Sequence, residues 1–161
     1  MTDPTPAMVS FEQALKAGYI KPRRCELDPE LYAHYDEPHG VERWAFVRLD
    51  GTTVTAFVNA MPAEPVDGHG CLQLGCAVPA PFRRRGLATS TLKAAIAELR
   101  HRFGRSGIGI FYVEGIVNVE NVASRRASER AISANPVEVT DRLSGLPALQ
   151  YLLKVETSAP G

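Results

Sequence analysis

Apolar residues recur at Ala88, Leu92, Ala95, Ile96, Leu99 and Phe103, offsets of 0, 4, 7, 8, 11 and 15. That spacing keeps them on one face of a helix. Lys93, Glu98, Arg100 and His101 fall on its polar face, and Gly104 and Gly107 predict its end. Before it, Cys71 to Val78 alternates, with Leu72, Leu74, Cys76 and Val78 on one side and Gln73, Gly75 and Ala77 on the other. The second side is small enough for something to lie against it. After it, Ile108 to Val117 is almost wholly apolar, the pattern of a buried strand with Glu114 as its one carboxylate. A helix opens at Asn118, with Ala123, Ala127 and Ala131 at close-packing spacing, and Asn135-Pro136 stops it.

The flanks are shorter and more broken. Ser10 with Gln13 fits a capping box that starts a helix through Phe11 and Leu15 to Gly18. Asp28-Pro29-Glu30 reads as the start of a short helix through about Tyr35. Runs around Trp44–Val47 and Val54–Val58, joined by Asp50-Gly51-Thr52, predict an antiparallel hairpin. Pro62 to Gly70 reads as a loop, and Val137–Thr140 and Leu149–Val155 as two last strands around Ser144-Gly145. The expected order is two helices, three strands, helix, strand, helix and two strands. This is a mixed α/β fold in which the strands near 71–78 and 108–117 are parallel. Residues 8–156 are expected to form one domain, with 1–7 and 157–161 as tails.

Composition narrows the function classes. The 161 residues carry 18 Lys+Arg and 18 Asp+Glu, a formal net charge of zero. A general nucleic-acid or membrane-surface binder would be basic, so both are disfavoured. The sequence shows no membrane-length apolar run and no signal-peptide pattern at its start, which makes the cytosol the expected compartment. Three cysteines without a CxxC pair argue against a disulfide framework. Cys71 and Cys76, five apart on one strand, face opposite sides, so no metal is expected there. His34, His39, His69 and His101 read as surface residues, and Trp44 as core.

The candidate chemistry lies where strand 71–78 turns into the central helix, through Val78-Pro-Ala-Pro-Phe-Arg-Arg-Arg-Gly-Leu-Ala-Thr89. A helix N-terminus presents unpaired N–H groups and a partial positive charge, which suits phosphate. Gly86 and Ala88 keep side-chain bulk away, and Arg83, Arg84 and Arg85 add charge. An ordinary turn with a solvated basic run is the alternative.

At this point the chain resembles the GNAT superfamily of acetyl-CoA-dependent N-acetyltransferases. The family's Arg/Gln-x-x-Gly-x-Gly/Ala motif stands here as Arg83-Arg84-Arg85-Gly86-Leu87-Ala88, with Val78 before it and Phe82 at the usual aromatic position. A second match runs from Val113 to Arg126 and includes Asn121-Val122-Ala123-Ser124, the Asn-x-x-Ser of the branch acetylating ribosomal-protein N-termini and aminoglycosides. The two motifs cover about residues 71–133. The resemblance implies a central sheet splayed between the strands at 71–78 and 108–117, the family's fourth and fifth, with helices on both faces. It implies acetyl-CoA as co-substrate, its pantetheine along Cys76, Ala77 and Val78 and its pyrophosphate on the N–H groups of about Arg84 to Thr89. Asn121 and Ser124 would complete the contacts.

Direct transfer needs a neutral amine, a polarised carbonyl and a proton for the leaving thiolate. Backbone N–H groups near Ala77 and Val78 are candidates for the second, and Glu114 is the candidate general base. Many relatives carry a tyrosine as acid seven residues after the asparagine; here that position is Ser128, a weak candidate, with Tyr32, Tyr35, Tyr112 and Tyr151 as substitutes. Arginine clusters at 102–105 and 125–130 could serve the cofactor's 3′-phosphate or an RNA. The expectation is an N-acetyltransferase for an unidentified small-molecule, peptide or protein amine, acting as a monomer or homodimer. A non-catalytic acyl-CoA-binding module and an RNA-binding protein are the alternatives.

Overall fold

The computed structural model describes residues 3–158. Helix α1 (Thr5–Lys16) leads into β1 (Arg23–Arg24), β2 (Leu31–Asp36), β3 (Arg43–Asp50), β4 (Thr53–Val66) and β5 (His69–Ala77). Helix α2 (Leu87–Arg105), β6 (Ile110–Asn118), α3 (Val122–Ala131), β7 (Val137–Thr140) and β8 (Pro147–Glu156) follow. The strands make one sheet in the order β1-β2-β3-β4-β5-β6-β8-β7. Among the described residues only β5 and β6 pair in parallel; every other neighbouring pair is antiparallel.

Alternation along the strands divides the core between the two faces of the sheet. Leu92, Ala95, Ile96 and Leu99 of α2 and Ala127 of α3 pack on Phe46, Val58, Leu72, Leu74, Val113 and Tyr151. Met8 and Phe11 of α1 pack on the other face, against Ala45, Val47, Phe57 and Ala77. The small residues of β5 on that face therefore make room for α1. Built onto Gly75, a Cβ would lie 3.5 Å from Pro4 and 2.6 Å from Asn59 Oδ1.

The flanks correct several expectations. Helix α1 begins at Thr5 behind Pro4, not at Ser10, so residues 5–7 belong to the folded body. Of the expected tails, residues 1–2 and 159–161 lie outside the described residues, and Thr157 donates to Ile108 O at 2.6 Å. Residues 31–36 form a strand, not a helix. The Asp28 carboxylate accepts from Glu30 N–H (2.9 Å) and its carbonyl from Leu31 N–H (3.1 Å), a turn that the same Asp-Pro-Glu letters build as readily as a helix cap. Leu31 and Ala33 then alternate into the core. The expected loop at 62–70 continues the β4–β5 hairpin to a turn at Asp67-Gly68, both at positive φ. Beyond Ala60, β4 has no β3 partner, so a free edge tolerates Pro62 and Pro65.

Two corrections concern the helices around the split. Glu98, expected on the polar face of α2, is fully buried. It accepts from Glu26 N–H (3.1 Å), Leu27 N–H (3.3 Å) and Arg102 Nε (3.0 Å), so the charge is paired and hydrogen-bonded as burial requires. Helix α3 starts at Val122; Asn118 instead closes a turn by accepting from Glu120 N–H at 2.9 Å.

Candidate active site

The parallel pairing of β5 with β6 is short. It joins Cys71 to Tyr112, Leu72 to Val113 and Gln73 to Glu114, and then stops. Strand β5 stays paired to β4 as far as Ala77, and β6 to β8 as far as Asn118. The two strands thus part after Gln73 and Glu114. Leu74–Ala77 and Gly115–Asn118 face an opening with no strand partner across it. Unpaired strand edges present N–H and C=O groups that an amide-bearing chain can bond.

The mouth of that opening meets the arginine-glycine turn. After β5, Pro79 leads a single 3-10 turn, Ala80–Phe82. Arg83 turns back to donate from Nε to Val78 O at 2.9 Å, and the Arg85 guanidinium lies 5.7 Å from the Phe82 ring centre. Arg83 therefore braces the turn, leaving Arg84 and Arg85 as its outward charges. Arg84 and Gly86 both take left-handed backbone, at φ 64° and 71°. Nothing lies within 4 Å of a Cβ built on Gly86, so the backbone, not crowding, calls for glycine. The first bond of α2 runs from Ser90 N–H to Gly86 O (3.1 Å), and no side chain caps the N–H groups before it. Successive amides at a left-handed bend and a helix start form an anion cradle.

The α3 side is arranged differently. Asn121 caps α3, its Oδ1 accepting from Ser124 N–H at 3.2 Å. Ser128 is buried against β6, where a Cβ on Gly115 would meet its Oγ at 3.6 Å and Ile132 Cδ1 at 3.0 Å. Glu114 stands where the strands part, on the face opposite α2 and α3, and accepts from Gln150 Nε2 at 2.8 Å. Cys76 borders the opening from β5, and burial pushes its thiol up to about 12.

The substitute tyrosines are committed elsewhere. Tyr32 Oη accepts from Arg24, while Tyr35 Oη donates to Glu37 and Tyr112 Oη donates to Asp67. Tyr151 is fully buried beneath α3, and its hydroxyl has no hydrogen-bond partner among the described residues. Burial raises that hydroxyl above the ordinary tyrosine value, the wrong direction for releasing a proton. The 102–105 basic cluster is internally satisfied, with Arg102 on Glu98 and Arg105 and His101 on Glu26. Arg125 spends one N–H on Val119 O.

Residues 8–131 match the Acetyltransferase (GNAT) family. The chain belongs to that family. Several solved structures share its fold. Ribosomal-protein-S5-alanine acetyltransferase from Vibrio fischeri does so with TM-score 0.52 and 10% identity, over 70% of this chain and 60% of that one. RimL, a ribosomal L7/L12 alpha-N-protein acetyltransferase, gives 0.51 and 15%, over 70% and 61%. AAC(6')-Ib in complex with paromomycin and acetyl-CoA gives 0.54 and 15%, over 69% and 64%. This chain thus spans less than two thirds of the length of each. No curated protein matches the sequence.

Sequence reasoning missed the residues that complete the site from afar. Gln150, the partner of Glu114, sits on β8 with no local signal beyond its place opposite Ile116. His34, read as surface, is half-buried, and with Asp36 and Arg43 it lines a cavity beneath α1. The strand pattern of 31–36 could have found it, because period two puts His34 and Asp36 on one face.

Proposed function

We propose that this GNAT-family chain is an N-acetyltransferase that moves an acetyl group from acetyl-CoA directly to a primary amine. One observation carries the reading: the strands part after Gln73 and Glu114, and the opening leads to an uncapped helix start. A pantetheine arm fits an open strand edge and a pyrophosphate fits the amides of Arg84 to Thr89. Acetyl-CoA supplies the activated acyl group as a thioester. The chain's own part is to hold it and to prepare the amine. Within Cys76–Val78, the backbone N–H groups that point away from β4 line the edge beside which the carbonyl would lie. Glu114, with Gln150 fixing its orientation, takes the proton of the attacking amine, directly or through one water. Cys76 stays protonated at neutral pH, so direct transfer is favoured over an acyl-cysteine.

No tyrosine stands at the opening among the described residues, and Ser128 faces the β6 backbone. The leaving thiolate therefore takes its proton from water. The same feature favours a second reading, a module that holds acyl-CoA without turnover. Calorimetric titration with acetyl-CoA tests binding, and thiol release with a panel of amines tests turnover. Micromolar binding with amine-dependent thiol release is expected. Absence of binding overturns both readings, and binding without release leaves the second.

A further inference from the structure

Strand β8 is paired along the whole of one edge and along only part of the other. Strand β6 accompanies it from Ala148 to Glu156, whereas β7 pairs with Pro147 to Gln150 and no further. Asn135 would be the next residue in line, opposite Leu152, but its N–H goes to Ser133 Oγ at 3.1 Å and the chain turns away. In an antiparallel strand each residue points its N–H and C=O to one side, and the side alternates. Pro147 O accepts from Val119 N–H (3.5 Å), next to the end of β6, while Glu156 O accepts from Arg100 Nε (2.8 Å) of α2. The even-numbered residues therefore face away from β6. Ala148 and Gln150 meet β7, and Leu152 and Lys154 meet no strand among the described residues.

The bare stretch borders a cleft of about 370 Å³. Leu153 and Val155, which pack toward α2, form its floor, Ile96 and Ala97 its wall, and Ala131 one end. Lys93 and Arg100 stand on the rim, about two helical turns apart. Neither makes an ion pair among the described residues. Lys154, on the opposite face, is matched by Glu156 at 3.6 Å. The cleft side of the edge is thus apolar within and cationic at the rim. A strand laid on Leu152 and Lys154 would bond their N–H and C=O groups, and its residues opposite Leu153 and Val155 would point into the cleft. Carboxylates four residues apart on such a strand span about 13 Å, within side-chain reach of rim cations about 10 Å apart along the helix. A second copy fits less well. Antiparallel pairing of two identical edges keeps both α2 helices on one face, which sets like charges together.

We infer that β8 docks an extended acidic segment of another protein, added as a strand beside Leu152 and Lys154. An apolar side chain of that segment lies on Leu153 and Val155, and its flanking carboxylates meet Lys93 and Arg100. The surface is separate from the β5–β6 opening, because β8 lies on the far side of β6. It therefore holds whichever amine is acetylated.

The test uses the full chain and a fluorescein-labelled peptide, Glu-Thr-Val-Thr-Glu, with Lys-Thr-Val-Thr-Lys as its charge-reversed control. Fluorescence anisotropy should show saturable micromolar binding of the first, about tenfold tighter than of the second. Lys154→Pro removes an outward N–H without touching the β6 ladder and should weaken binding about tenfold. Lys154→Ala keeps that N–H and should retain most of the binding. Lys93→Glu should weaken the acidic peptide several-fold and strengthen the lysine peptide. Where Lys154→Pro does not fold, amide exchange in the unaltered chain decides. The Leu152 and Lys154 amides should exchange fast alone and about tenfold more slowly with the acidic peptide. Exchange that the peptide does not slow overturns the inference, as do absent binding, equal binding of both peptides and undiminished binding by folded Lys154→Pro. Sedimentation showing a dimer of the chain alone that Lys154→Pro dissociates would assign the edge to a second copy and overturn it as well.

Discussion

Two helices begin beside the same opening, and they begin differently. Helix α2 starts at a left-handed glycine with no side chain on its first N–H groups. Helix α3 starts at Asn121, whose own side chain satisfies the Ser124 N–H. With glycine at the N-cap, an uncapped start forgoes about a few tenths of a kcal/mol of stability, a small loss where the amides are kept for an anion. A capped start is complete without a ligand. The Gly86 turn thus leaves its amides open, whereas the Asn-x-x-Ser segment has a structural role of its own before any cofactor is considered.

The largest effect should come from placing charge in the open start. Gly86→Glu adds bulk and a negative charge where phosphate would sit and should weaken acetyl-CoA binding by about 100-fold or more. Calorimetry measures it, with thermal unfolding as the control; unchanged affinity would remove the anion role from α2. Glu114→Gln follows. It keeps the shape and a partner for Gln150 but removes the proposed base, and should lower kcat by about 100-fold at neutral pH with little change in acetyl-CoA affinity. An unchanged kcat in this variant would show that another group takes the proton.

At the capped start, Asn121→Ala should cost about 1 kcal/mol of stability through loss of the cap. Asn121→Ser keeps a capping oxygen and should restore most of it. Comparing acetyl-CoA affinity in the two separates the roles: weaker binding in Asn121→Ser at normal stability would show that the amide also serves the pantetheine. The smallest effect lies further along α2. Arg105 and His101 hold Glu26 at about 2, below its ordinary 4.5. The unfolded chain therefore binds that proton first as pH falls. The stability this contributes is intact above pH 4.5 and is lost on the way down to about 2. In Glu26→Gln, acid-titrated unfolding should have a shallower slope across that window.

Legibility in the sequence followed the range of the forces. The strand–turn–helix from Cys71 to Arg105 was readable because the alternating pattern, the Pro-Arg-Gly turn and the 3.6-residue stripe are each local. The Asp50-Gly51 hairpin and the Ser144-Gly145 connection were readable for the same reason. Residues 31–36 were misread because Asp-Pro-Glu opens either a turn or a helix, and only pairing with β3 decides between them. Glu98 was misread because its burial is explained by the Glu26 and Leu27 amides, 72 and 71 residues away. In the candidate site, Glu114 and the Arg83–Thr89 turn were identifiable one by one. Gln150 was not, since its place beside Glu114 depends on strand register.

The sequence alone determined the parts: an arginine-glycine turn ahead of an amphipathic helix, an apolar strand with one carboxylate, and a capping asparagine. Backbone stereochemistry and side-chain periodicity are properties of neighbouring residues, so they are written locally. Only the tertiary structure decided where β5 and β6 part, that Glu114 stands at that point, and that Gln150 comes to meet it. Those depend on which strands lie side by side and in what register, and that is settled by the packing of the whole sheet.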